Sequence, residues 1–418
     1  MLRAFRYRNY RLFFGGQVVS LVGTWITLTA TSWLVYRLTN SAFLLGVVGF
    51  ASQFPSFVLT PFAGIYVDRW NRHRLLIGTQ IASMIISFVL AALTLSNTIS
   101  ITWLIIVSVF AGIVNAFDMP GRQAFVIVLV EDKRYLGNAI ALNSSMFNAA
   151  RLVGPSIAGT IIALSNEGWC YLIDGVSYMA VIAALLAMRI THQTTPASEH
   201  ESPLQQFRDG LSYAFESRTI RSIITLVGLI CLVGVPYSVM MPVFAADVLG
   251  GGAHTLGFLM TATGCGALFG ALWLASRRNV DGLTRNIAVA GALFSCGLTG
   301  FALSRTLWLS IPFLMVTGFG FIAMVASGNT LLQTLVDDSK RGRVISLFLM
   351  AYFGTTPLGS LAAGAMSARI GAPYTTAISG VLCLAGAAWF ASQLPAVNAE
   401  VEPILARMAA ARTAEPVR

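Results

Sequence analysis

Twelve times along this chain of 418 residues, a run of about twenty or more mainly apolar residues is closed by a short polar break. Such a run spans the roughly 30 Å hydrocarbon core of a bilayer as an α-helix, and twelve of them leave little chain for anything else. In lipid every backbone N–H and C=O must be satisfied inside the segment, which makes a helix the only open-ended solution. The runs predict an all-α integral membrane protein with helices near 12–38, 43–67, 75–96, 101–129, 137–165, 169–189, 221–247, 255–276, 286–304, 306–335, 342–368 and 371–394. Only 11% of the residues are charged, against roughly 25% in soluble domains, too few to cover a water-exposed surface of this size. The first run is too long for a cleaved leader and reads as a retained helix.

The charges report how the helices are threaded. With the N-terminus in the cytosol, Arg37, Arg305 and Arg369 fall outside and Arg122 and Arg151 fall within the membrane. The other 22 of the 27 lysines and arginines fall on or beside the cytosolic face, the bias expected of an even number of spans with both termini cytosolic. The net charge of +10 is therefore a topology signal, and no nucleic-acid partner is expected. The expected domains are a six-helix bundle over 1–190, a cytosolic linker over 191–220, a second six-helix bundle over 221–394 and a polar, loosely ordered tail over 395–418. Within the linker, Leu204, Phe207, Leu211 and Phe215 recur at helical spacing, as in an amphipathic helix lying on the membrane surface. The five cysteines and four histidines show no disulfide or metal spacing, so neither a metal nor another cofactor is expected. The two lysines, Lys133 and Lys340, lie in no phosphate-binding loop, which disfavours ATP-driven transport. Clustered catalytic groups are lacking, which argues against an enzyme.

The two halves repeat one plan. Val130-Glu131-Asp132-Lys133-Arg134 and Val336-Asp337-Asp338-Ser339-Lys340-Arg341 both stand where the fourth helix of a half turns into the fifth. Repeated halves mark secondary transporters. The loop Gly64-Ile-Tyr-Val-Asp68-Arg69-Trp-Asn-Arg72-His-Arg74 joins helices two and three. It reads either as a conformational latch between the halves or as a basic, topology-setting loop with an ordinary cap. Asp118 and Arg122 share one face of helix four, and Arg151 lies at similar depth on helix five. An unpaired mid-membrane charge is costly, so Asp118 is expected to pair with Arg122, Arg151 or both. The group reads as a proton-coupling network or as a permanent ion-pair brace. Gln17, Ser20, Thr24, Thr27 and Thr31 form a polar stripe on one face of helix one.

The Gly64–Arg74 loop, its degenerate copy around Arg277, Arg278 and Asp281, the twelve-helix layout and the long connector resemble the major facilitator superfamily. Asp118-Met-Pro120-Gly-Arg122, Asn148-Ala-Ala-Arg151-Leu-Val-Gly154-Pro155-Ser-Ile-Ala-Gly159 and Leu332-Gln333-Thr334 through Arg343 to Pro357-Leu-Gly359-Ser360 sharpen this. They look like the bacterial exporter branch that holds the enterobactin exporter and macrolide efflux proteins. The resemblance implies two pseudo-symmetric bundles in a bacterial inner membrane, working as a monomer among lipids. It implies export of a small organic, amphipathic molecule, drug- or siderophore-like, by alternating access. Gly154, Pro155 and Gly159 occupy the position of the superfamily's antiporter motif, which points to proton exchange. By the same resemblance the helix-one stripe and Tyr237 on helix seven line the central cavity. A lipid or lysolipid flippase and a proton-coupled importer are the alternatives on the same fold.

Overall fold

The computed structural model describes residues 3–130, 133–189, 212–277 and 282–414. Twelve of its helices are long and apolar enough to cross a membrane, and no strand occurs among the described residues. In chain order they are α1 (Arg8–Thr39), α2 (Ala42–Arg69), α3 (Arg72–Leu95), α4 (Ile101–Leu129), α5 (Leu136–Leu164) and α6 (Glu167–Leu186). The second set is α7 (Arg218–Val248), α8 (Ala253–Ala275), α9 (Leu283–Leu303), α10 (Leu307–Leu335), α11 (Asp338–Ile370) and α12 (Ala372–Ala414). Short polar residues start them: the side chains of Ser41, Asn71, Ser100, Asn166 and Ser217 accept from backbone N–H groups of α2, α3, α4, α6 and α7. Each cap satisfies donors that a helix end leaves free.

Packing repeats between the halves. α1 and α3 pack on α6 and α2 packs on α4; correspondingly α7 and α9 pack on α12, and α8 packs on α10. The halves meet along two seams, α2 with α11 and α5 with α8. We call the end of the bundle that holds the starts of α1 and α7 basal, and the opposite end distal. The close approaches lie distally. A Cβ on Gly46 would stand 2.6 Å from the Ser360 carbonyl oxygen, and one on Gly159 would stand 2.8 Å from that of Ala253. These glycines let backbones touch where any side chain would hold them apart, which in lipid is a main source of helix association. The Ser156 and Thr261 hydroxyls, 2.6 Å apart, add a polar tie between α5 and α8. Tyr36 of α1 donates a hydrogen bond to Asp247 at the end of α7, joining the halves at the distal rim. Beside it Arg37 makes a bidentate pair with Glu167 at 2.8 and 2.9 Å, fixing α1 to α6 within the first half. Basally the halves part. The most basal glycine approaches between them are Gly264 against the Arg151 carbonyl and Gly354 against the Phe57 ring. Beyond that level Phe62 and Tyr66 of α2, Phe147 of α5, Phe269 of α8 and Met350 of α11 are exposed.

Two stretches differ from the hydropathy reading. α7 is irregular, passing through π turns at Ile230–Gly234 and Phe244–Val248 and a 3-10 turn at Val235–Met240. Pro236 and Pro242 explain this, because a proline cannot donate the bond to the carbonyl four residues back. The carbonyl that Pro236 leaves free belongs to Leu232, and α11 closes onto it through Gly359. The tail expected over 395–418 is instead helical to Ala414, continuous with α12 despite Pro395 and Pro403. Val397 and Val401, one turn apart, are buried. Asn398 accepts from Thr284 of α9, and Glu400 accepts from the Thr219 N–H and hydroxyl at the start of α7 (3.0 and 2.6 Å). Those anchors, with an alanine-rich sequence of high helix propensity, outweigh the two prolines. Of the linker helix, Leu204, Phe207 and Leu211 lie outside the described residues; 212–216 is helical and Phe215 is exposed.

Candidate functional site

α4 carries Asp118 eleven residues from its basal end, about 16 Å along the axis and so near mid-membrane. Asp118 is 5% exposed and sits in a cluster drawn from three helices. Arg122, one turn on, pairs with its Oδ2. Thr79 Oγ1 and Gln80 Nε2 of α3 donate to its Oδ1 at 2.8 and 2.7 Å. Arg122 Nη1 donates to Gln17 Oε1 of α1 at 2.8 Å. The pair is thus compensated and hydrogen-bonded, the condition for keeping charge in an apolar interior. It is incompletely sealed, the Arg122 side chain being 27% exposed, and incompletely satisfied, since the buried Arg122 Nε and Gln80 Oε1 lack partners. Thr79 and Gln80 are members that sequence reading missed; their signal was two adjacent polar residues in an apolar span.

Arg151 does not join this cluster. Its guanidinium stacks over the Trp25 ring at 5.7 Å, and no carboxylate among the described residues pairs with it. Trp25 packs edge-on against Phe147. A central arginine costs about 2.5–3.5 kcal/mol on insertion scales, and a cation–π contact returns about 0.5–2. Tyr237 and Tyr352 of the second half lie within electrostatic reach of Arg151.

The polar stripe of α1 divides between neighbours. Gln17 belongs to the Arg122 cluster, and Ser20 is buried. Thr27 and Thr31 turn to α6, where Thr27 donates to Asp174 at 2.8 Å and Thr31 lies 3.1 Å from the Tyr171 hydroxyl. Thr24 alone of the five is exposed. Periodicity gave one face of the helix; it could not say that much of that face meets α6 rather than a cavity. Tyr237 likewise is 7% exposed, packed edge-on between Phe294 and Phe301 inside the second half.

Asp174, absent from the sequence reading, is a further buried carboxyl, 1% exposed. Thr27 and Ser87 both donate to its Oδ2 at 2.8 Å, while Oδ1 has no partner. Gly23 of α1 makes room for it: a Cβ there would stand 2.5 Å from Oδ1. The site is walled by α1, α3 and α6 and shares nothing with the seams between the halves.

Gly154 and Gly159 serve different contacts. Gly154 abuts Trp25 of α1 within the first half, whereas Gly159 abuts α8 across the seam, and a Cβ on Gly257 of α8 would stand 2.7 Å from the Pro155 carbonyl oxygen. Of the loop after α2, the side chains of Asp68 and Arg69 lie outside the described residues, as does any side-chain contact at Gly64. Asn71 caps α3 through the N–H groups of His73 and Arg74, with Arg72 in the first turn.

Comparison with known proteins places this geometry. The chain is 29% identical to the staphyloferrin A transporter of Staphylococcus aureus, covering 89% of this chain and 92% of that one. It is 25% identical to the multidrug efflux pump Tap of Mycolicibacterium fortuitum, covering 84% and 87%. It is 20% identical to macrolide efflux protein A of Streptococcus pyogenes, covering 91% and 96%. Among solved structures it superposes on a peptide-complexed POT family transporter with a TM-score of 0.74 at 10% identity, covering 93% and 96%. It also superposes on a bacterial homologue of the lysosomal transporter Spinster with a TM-score of 0.71 at 14% identity, covering 92% and 96%. These similarities show the fold. The transmembrane secretion effector family model matches residues 2–417, and the chain belongs to that family, a transporter of the major facilitator superfamily's exporter branch and not an enzyme.

Proposed function

We propose that this transporter moves a small amphipathic organic molecule out of the bacterial cytosol by alternating access, in exchange for protons. Both termini are cytosolic in this reading, so the basal opening faces inward and the distal seam is the closed outer gate. It works as a monomer among membrane lipids, and the Gly64–Arg74 loop, with Asp68 and Arg69, latches the halves in the opposite state. The observation that carries the reading is the mid-membrane cluster at Asp118, compensated yet partly open. Oδ1 is already occupied by Thr79 and Gln80, so an arriving proton takes Oδ2 and displaces Arg122. The freed guanidinium then turns toward the cavity, and loss of the proton draws it back to the carboxylate. A small electrostatic event at a two-position side chain can bias two packings of the halves. Siderophore, multidrug and macrolide transport by the relatives supports an exported substrate of that general kind.

The test is transport in proteoliposomes with an imposed pH gradient, over a panel of hydrophobic antibiotics, siderophores and lysolipids. Gradient-dependent export that Asp118→Asn abolishes is expected. Transport indifferent to both gradient and substitution removes the antiport assignment, and a response confined to lysolipids makes the chain a flippase.

A further inference from the structure

We propose that Arg151 is the substrate's anion anchor, and that the transported class is carboxylate-bearing amphiphiles. The inference deepens the proposed function and rests on its reading of the inter-half cavity as the substrate path. Fifteen residues from the basal end of α5 and thirteen from its distal end, Arg151 lies about 20 Å from each, close to mid-membrane. It stands at the most basal close approach of the α5–α8 seam, where Gly264 abuts its carbonyl. This is the apex of the basal opening, the deepest point a molecule entering from that side reaches.

The guanidinium there is half-buried, with one face on Trp25. Among the described residues no carboxylate or carbonyl accepts from it, and none of its nitrogens is a sealed, orphaned donor. Its N–H fork therefore opens into the space between the halves. Five donors in a planar fork match a carboxylate bidentately. The other charges at this depth do not compete: Asp118 and Arg122 neutralise each other, and Asp174 is walled off behind α1. The cavity apex thus carries one uncompensated positive charge. Beside it lie Trp25, with Phe147 edge-on against it, from the first half, and Tyr352, within electrostatic reach of the guanidinium, from the second. Anion at the fork and apolar body on the rings is the arrangement this wall accommodates, and contact with rings from both halves lets the bound molecule favour one packing over another.

The experiment is calorimetric binding to the purified full-length protein in detergent, with 2-naphthoate, 2-naphthamide and 2-naphthylmethylammonium as probes. These share one ring system and differ in charge. The acid is expected to bind at least tenfold more tightly than the other two. Arg151→Gln should abolish that preference, and continued binding of all three probes shows the pocket intact; Arg151→Lys should keep a weaker preference. If Arg151→Gln does not fold, the parent's charge preference and its weakening in Arg151→Lys decide. Equal binding of the three probes to the parent, or a preference for the acid that survives Arg151→Gln, overturns the proposal. No gradient is imposed, so the outcome is independent of whether transport is proton-coupled.

Discussion

The hydrogen bond from Tyr36 to Asp247 is a single removable tie across the distal rim. Tyr36→Phe deletes the donor and keeps the ring, which is buried at 5% exposure, so packing is preserved. A hydrogen bond to a charged group contributes about 1.5–3 kcal/mol when its loss strands the acceptor. Asp247 is exposed and regains water, so the expected loss is nearer about 1 kcal/mol. All of it acts on the distal-closed state, because the bond joins the two halves only there. At about 1.4 kcal/mol per tenfold, the closed-to-open ratio should fall about fivefold. Spin labels at Ser96 and Arg305, exposed at the distal ends of the first and second halves, read this as growth of a long-distance population. Cys296, exposed, and Cys265, half-buried, would first be replaced by alanine. Asp247→Ala should give the same shift, and the double variant should add nothing to either. An unchanged distance distribution, or full additivity, refutes the tie as a gate.

Removing one side of the mid-membrane pair should cost more than removing both. Asp118→Ala strands Arg122, Thr79 and Gln80 and is expected to destabilise by about 3–5 kcal/mol, with a smaller loss in Asp118→Ala/Arg122→Ala; melting temperatures in detergent give the order. Glu400→Ala should lower the melting temperature through a loss of about 1–2 kcal/mol, because it uncaps α7, while Glu400→Gln retains an acceptor and should lose about half as much.

The spans were legible because twenty apolar residues leave lipid as the only solvent, and observed helices begin and end within a few residues of the hydropathy runs over most of the chain. The Asp118–Arg122 pair was legible from its four-residue spacing. What escaped was the choice of neighbour. Thr27 and Thr31 fit a cavity-lining face by period, yet the partner of Thr27 is Asp174, 147 positions away, and nothing local ties the two together. Arg151 matched Asp118 in depth along its helix, but azimuth turned it to Trp25. The stretch from 395 read as a loosely ordered polar tail because the tertiary contacts of Asn398 and Glu400 are invisible in sequence. In α7 prolines did break the regular ladder, at Pro236 and Pro242.

The unbroken α12 has a mechanical consequence. At 1.5 Å per residue its 43 residues measure about 64 Å, twice the membrane core, and the portion from Pro395 accounts for about 29 Å. Among the described residues its side-chain hydrogen bonds run to α7 and α9, both of the second half, so it moves as an outrigger of that half. A rocking rotation of about 10° would carry its tip through about 5 Å, a larger displacement than most points within the bilayer undergo. The end of the chain is thus a natural pointer for the motion, and a dye placed there would convert rocking into a readable signal without touching the transport path.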